Sequence, residues 1–120
     1  MKLTDKNIRE REFHNKLQSK TKGRFENIFY KAISNAWEDF YNYLDLNAKN
    51  SELLDYGCGV GPVIEKVVKL SPKKVTGIDI SEISISKAKE KLVNSGSKVE
   101  LLVDNCEKTM FSNSKFDIVY

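Results

Sequence analysis

The segment Leu53-Leu54-Asp55-Tyr56-Gly57-Cys58-Gly59-Val60-Gly61 constrains the fold of this chain more than any other stretch. A short apolar run stops at three glycines in alternate positions, which lets a strand turn sharply and bring bare backbone close to a ligand. Pro62 follows, suited to the first turn of a helix, where its missing N–H costs nothing. A strand, a glycine turn and a helix in that order point to an open α/β sheet, in which ligands bind beyond the C-terminal ends of the strands.

The rest of the chain after Asn47 repeats the alternation. Glu52–Tyr56, Lys74–Asp79, Lys98–Val103 and Lys115–Tyr120 read as strands, with helices over Pro62–Leu70 and Glu82–Asn94. Ser81 is placed as an N-cap, Ile85, Ala88 and Leu92 would face the sheet, and Gly96 suits a left-handed turn after the helix. Successive strand–helix–strand units imply right-handed crossovers and a parallel sheet with helices on its faces. Before this half, Phe25 to Leu44 shows strong helical periodicity. Phe29, Ile33, Trp37, Phe40, Tyr41 and Leu44 fall on one broad stripe expected to be core. Residues 4–21 read as a weaker helix anchored by Ile8, Phe13 and Leu17, with a turn at Lys22-Gly23-Arg24. The expected division is a helical N-terminal cap over 1–47 and a sheet domain over 51–120, with Asn47 to Ser51 as a polar connector.

A chain of 120 residues with 40% apolar and 31% charged residues suits one globular domain with one core. No apolar run approaches the ~20 residues that span a bilayer. Cys58 and Cys106 make no disulfide pattern, so a reducing cytoplasmic setting is expected. The net charge of +3 is concentrated at the start, where residues 1–24 hold eight Lys/Arg against three acids. Without aromatic interleaving or a nucleic-acid motif, that arm reads as a solvated helix, and neither nucleic acid nor a membrane is an expected partner.

Three strand ends carry chemistry. Asp55 and the glycine turn end the first strand. Asp79 ends the second, where a carboxylate can accept two hydrogen bonds from ribose hydroxyls, with Ile80 free to lie on a purine face. Asp104 or Asn105 ends the third, where an acceptor can meet an adenine amino group. Each alone is weak, since a glycine turn is often only a turn and an aspartate after a strand often only a cap; three in order are specific. A dinucleotide fingerprint would need glycine where Pro62 stands, and no phosphate-binding Gly-Lys-Ser/Thr is present. Asp55, two residues before the first glycine, would repel a pyrophosphate but can hold an ammonium group. The ligand read from these residues is an adenosine with an amino-acid tail.

The glycine motif Leu54–Gly61, the ribose motif Gly77-Ile78-Asp79-Ile80-Ser81, the region Val103-Asp104-Asn105-Cys106-Glu107 and the strand Phe116-Asp117-Ile118-Val119 together resemble the class I S-adenosylmethionine-dependent methyltransferases, small-molecule type. The resemblance implies a Rossmann-like sheet with helices on both faces and its first four strands in the order 3-2-1-4. It implies S-adenosylmethionine as cofactor and a small-molecule methyl acceptor, with no metal. Asp55, Tyr56, Gly57, Cys58, Gly59 and Gly61 would hold the methionine portion, Asp79 and Ile80 the ribose and adenine face, and Asp104, Asn105 and Cys106 the adenine. Counting back from Phe116 puts Asn105, not Asp104, where the family has its acid, so both are carried. The N-terminal helices resemble the family's cap, to which Phe13, His14 and Tyr30 could contribute; a helical histidine without a role is the plain alternative for His14. No catalytic base is identified. The family's sheet has seven strands and this chain offers four, so a truncated form with little activity is expected, with self-association through the open edge of the fourth strand. A non-catalytic S-adenosylmethionine-binding module, and a nucleotide-cofactor enzyme of other chemistry such as an NAD-dependent oxidoreductase, are the competing readings.

Overall fold

The computed structural model describes residues 1–19 and 33–120. Helices α1 (Asp5–Gln18) and α2 (Ser34–Asn47) precede the sheet region. There β1 (Glu52–Tyr56), α3 (Pro62–Val67), β2 (Lys74–Asp79), α4 (Glu82–Lys91), β3 (Val99–Val103) and β4 (Ile118–Val119) follow in turn, with short 3₁₀ turns after α3 and α4. The strands form one parallel sheet in the order β3-β2-β1-β4. That is the expected order, and β1 is central. Its register aligns Tyr56 with Ile78, which brings the glycine turn and the end of β2 together.

Alternation along the strands explains the core. Leu53, Val75 and Leu101 point to one face and bury against Ile64 and Val67 of α3, Ile85, Ala88 and Leu92 of α4, and Leu44 and Ala48 from the end of α2. Because β1→β2→β3 steps in one direction, right-handed crossovers put α3 and α4 on that same face. Leu54, Thr76 and Ile78 alternate to the opposite face and are also buried.

Pro62 occupies the first turn of α3, and the Ser81 hydroxyl accepts the Ser84 N–H at 3.1 Å as the N-cap of α4. The α4 helix ends at Lys91, earlier than expected, and passes through a 3₁₀ turn containing Gly96 at φ +67°. The β4 ladder is shorter than expected. Its backbone bonds run only from Asp117 N–H to Tyr120, while Phe116 turns its ring edge-on to Phe111 at 5.0 Å.

The helical N-terminus corrects two expectations. Phe13 is no anchor: it is 63% exposed, and the buried residue of α1 is Asn7. The aromatic stripe of α2 is buried only at its C-terminal end. Leu44 is buried and Phe40 and Tyr41 are half-buried, whereas Ala36 and Trp37 are exposed. The expected turn at Lys22-Gly23-Arg24, the 25–32 part of the expected helix and Tyr30 lie outside the described residues. Among the described residues no helix is long and apolar enough to cross a membrane.

Gly77, in the middle of β2, is the tightest point of the core. A Cβ there would sit 2.5 Å from Ile64 Cδ1, 2.9 Å from Leu101 Cδ2 and 3.0 Å from Cys58 Sγ. Overpacking of this kind costs about 1–3 kcal/mol. Gly77→Ala is therefore expected to lower the stability measured by denaturant unfolding by about that amount. Combining it with Ile64→Val, which removes the closest atom, should cost less than the two single changes summed.

Candidate functional site

The glycine turn is built by backbone bonds to β2. Gly57 and Cys58 both donate N–H to the Ile78 carbonyl, at 2.9 and 2.8 Å, which curls the chain over the end of its neighbour. The curl requires φ values of +87°, +54° and +79° at Gly57, Gly59 and Gly61, a region that side-chain-bearing residues avoid. Nothing lies within 4 Å of where a Cβ would stand on Gly57 or Gly59, so the inner side of the turn is open. Asp79 fastens the turn from below. Its Oδ2 accepts the Gly59 N–H and its Oδ1 the Ser81 N–H, each at 2.9 Å. One carboxylate thus links the β1 turn to the start of α4.

Asp55 lies deeper on the same edge. It is 6% exposed, and its Oδ2 has no hydrogen-bond partner. Burial, and then the nearby Asp79 charge, push its carboxyl up to about 7. By register with β4 its neighbour is Tyr120, whose ring packs against Phe40 at 5.3 Å between centroids. The Tyr120 hydroxyl is also buried and unpartnered, and burial and Asp55 hold its phenol well above the usual range. Cys58 is buried behind the turn, and burial raises its thiol far beyond reactivity. Tyr56 points outward and is exposed.

The third strand end behaves differently from the first two. Asp104 is buried and spends both carboxylate oxygens on its own loop, accepting Asn105 N–H at 2.8 Å and Met110 N–H at 3.1 Å. Asn105 Oδ1 accepts Glu107 N–H at 3.0 Å, while its Nδ2 donates to Asn7 Oδ1 at 3.1 Å. Cys106 is half-buried, and burial followed by the charges of Asp79 and Asp104 raises its thiol to about 11.

These strand ends and α1 enclose a cavity of about 240 Å³. Gly57, Gly59, Asp79 and Ile80 form its floor, and Asn105, Cys106 and Glu107 form one wall. Ser84 closes the side, and Glu10, His14 and Gln18 of α1 form the roof. Asp55, Cys58, Gly61 and Asp104 support this lining from behind and are not part of it. The helix is fastened at both ends, by Lys6 to Glu107 at 2.5 Å near its start and by Asn15 to the Ser81 hydroxyl near its finish. Sequence reasoning missed Asn7, Glu10, Gln18 and Ser84, and quoted Glu107 in the third motif without giving it a role. The only signal was the Thr4-x-x-Asn7 spacing, which marks a helix start but says nothing of what the helix will cover.

The Asp55 carboxyl makes a clear pH prediction. Its proton is held to about 7 when folded and to an ordinary 3.8 when unfolded. The folded state therefore binds more protons between those values, and stability is lost as pH rises through that window. Asp55→Asn is expected to flatten the fall in unfolding free energy between pH 4 and 7 and to be the more stable form at pH 8. Urea unfolding across that range checks it.

Comparison with known proteins agrees with this geometry. The family described as methyltransferase domain matches residues 53–120, more than half of the chain. Phosphoethanolamine N-methyltransferase 1 of Triticum aestivum is 29% identical over 115 residues, covering 90% of this chain and 23% of that protein. Sterol 4-C-methyltransferase strm-1 of Caenorhabditis elegans is 31% identical over 75 residues, covering 61% of this chain and 22% of that one. The chain thus spans less than a quarter of the length of these curated relatives. Among solved structures, the PH0226 protein of Pyrococcus horikoshii superposes with a TM-score of 0.60 at 31% identity, over 76% of this chain and 41% of that one. With the 3-2-1-4 sheet, the glycine turn and the strand-end acids in place, the chain belongs to the methyltransferase domain family of class I S-adenosylmethionine-dependent methyltransferases.

Proposed function

We propose that the chain binds S-adenosylmethionine across the C-terminal edge of its sheet and serves transfer of the methyl group to a small-molecule acceptor. The observation that carries this reading is the Asp55 carboxyl, buried with Oδ2 unpartnered beside an open glycine turn. A buried carboxylate without a partner is costly, and a cationic ligand group removes that cost. In front of Asp55 the cavity lining itself is acidic, with Glu10, Asp79 and Glu107, which suits a ligand bearing an ammonium and a sulfonium and opposes a pyrophosphate. The residues present therefore fit the cofactor that the family implies.

In this reading Asp55, Tyr56 and the backbone of Gly57, Cys58, Gly59 and Gly61 hold the methionine portion. Asp79 accepts from the ribose hydroxyls with the lone pairs its two backbone bonds leave over, and Ile80 lies on the adenine face. Main-chain groups of Asn105 and Cys106 meet the adenine edge, and Asp104 shapes their loop. The bound cofactor supplies a methyl group already activated by positive sulfur. The chain's own contribution is then alignment and exclusion of water, with α1 as the roof. The acceptors named for the two curated relatives differ, one a phosphorylated amine and one a sterol carbon. A small-molecule acceptor is common to both and is the class proposed here. The unpaired cysteines support a reducing, cytoplasmic setting.

Calorimetry with S-adenosylhomocysteine, the demethylated product, tests the reading. Asp79→Ala removes hydrogen bonds to a charged group, each worth about 1.5–3 kcal/mol, and should weaken binding at least about tenfold. Circular dichroism on the variant separates this from unfolding. Unchanged affinity in a folded Asp79→Ala, or tighter binding of NAD than of S-adenosylhomocysteine, would sink the assignment.

A further inference from the structure

We infer that Asn7 is a positioning residue for cofactor binding, clamping the adenine wall of the cleft to the helix that roofs it. The inference rests on the S-adenosylmethionine reading of the cavity and adds a part that strand-end motifs do not contain.

Asn7 is 1% exposed, the most buried residue of α1, and both polar atoms of its side chain are bonded. Oδ1 accepts from Thr4 N–H at 3.1 Å, from the Thr4 hydroxyl at 2.9 Å and from Asn105 Nδ2 at 3.1 Å. Nδ2 donates to Glu107 Oε2 at 2.9 Å. The first two bonds cap α1. The last two cross about a hundred residues of chain to the loop after β3. A buried amide bonded at both its oxygen and its nitrogen favours one arrangement of its neighbours, because breaking those bonds leaves a polar group stranded away from water.

Two consequences follow for the cleft. First, both polar ends of the buried Asn105 side chain are drawn into the protein, Nδ2 to Asn7 and Oδ1 to the Glu107 N–H. The 105–107 loop therefore presents main-chain groups to a ligand, and their placement depends on Asn7. Second, Glu10, His14 and Gln18 follow Asn7 at helical spacing and reach the cavity from the same stripe of α1. Holding Asn7 sets the height and rotation of that stripe over the adenosine portion. The bond to Asn7 comes first, and Lys6 second, in holding the Glu107 carboxyl below its usual range, so Glu107 offers the clamp a charged acceptor.

The test reverses the hydrogen bond. Asn7→Asp sets a carboxylate against Glu107, breaking the clamp while leaving an acceptor for Thr4 and Asn105. Relative to the parent at the same pH, binding of S-adenosylhomocysteine and of 5′-methylthioadenosine, which share the adenosine, should weaken by a similar factor, on the order of tenfold at pH 8, and that factor should shrink as pH falls towards 5. Adding Glu107→Gln supplies an amide that donates to the new carboxylate, and the double variant should bind both ligands to within about threefold of Glu107→Gln alone. Asp55→Asn is the contrasting control, weakening S-adenosylhomocysteine alone, since the thionucleoside has no ammonium group. If Asn7→Asp fails to fold, the double variant still decides by binding or not binding. Unchanged affinity in Asn7→Asp, a loss that Glu107→Gln does not relieve, or a loss confined to S-adenosylhomocysteine would overturn the clamp. Failure of the unaltered chain to bind S-adenosylhomocysteine would overturn the reading of the cavity, and the clamp with it.

Discussion

The Asp79 carboxylate holds two turns at once, and the site is assembled around it. Parallel pairing of β1 with β2 brings Tyr56 level with Ile78, so the chain leaving β1 must curl directly over the end of β2. Hydrogen bonds from Gly59 and Ser81 to the two oxygens of Asp79 fix that curl and the start of α4 together. Bonds of this charge-assisted kind are stronger than ordinary backbone pairs, which suits a loop without side chains to pack. Gly77 one layer below serves the same end. Only a bare position lets Ile64, Leu101 and Cys58 close under the turn.

Against that rigid base, Asp55 is a deliberate weak point. Its carboxyl is buried, unpartnered at Oδ2 and flanked by a second acid, and burial and that acid push it up to about 7. A well-packed apolar residue there would be more stable, as it would for many buried ionic groups. The retained acid makes sense where a cation completes it. Tyr120 and Cys58 around it are forced far from ionisation by the same desolvation, which leaves Asp55 as the one of these three able to carry charge.

The legible parts of the sequence were those where backbone geometry demands a residue type. Three alternate glycines, Pro62 and the strand-end acids could be read directly because φ above zero, a missing N–H and a carboxylate closing an apolar strand each leave a local mark. Parallel pairing followed from the strand–helix alternation, whereas the 3-2-1-4 strand order was legible only through the family resemblance. The α2 stripe misled because helical periodicity shows that a face is apolar without showing what covers it. Trp37 and Ala36 are exposed while Leu44, nearer the sheet, is buried. Phe13 misled for the same reason. Asn7 was invisible because its partners, Asn105 and Glu107, are about a hundred residues away, and a polar residue at a helix start already has a sufficient local explanation in Thr4. The ambiguity between Asp104 and Asn105 has a physical basis as well. The two share the work, one holding the loop from beneath and the other tying it to α1.

The central claim is that Asp55 waits for a cationic group at the end of β1. The most direct measurement is the NMR titration of its carboxyl carbon, in the free chain and at saturating S-adenosylhomocysteine. The account predicts a midpoint of about 7 in the free chain that moves to lower pH with ligand, with proton release on binding near neutrality. A midpoint that saturating ligand leaves in place would contradict it.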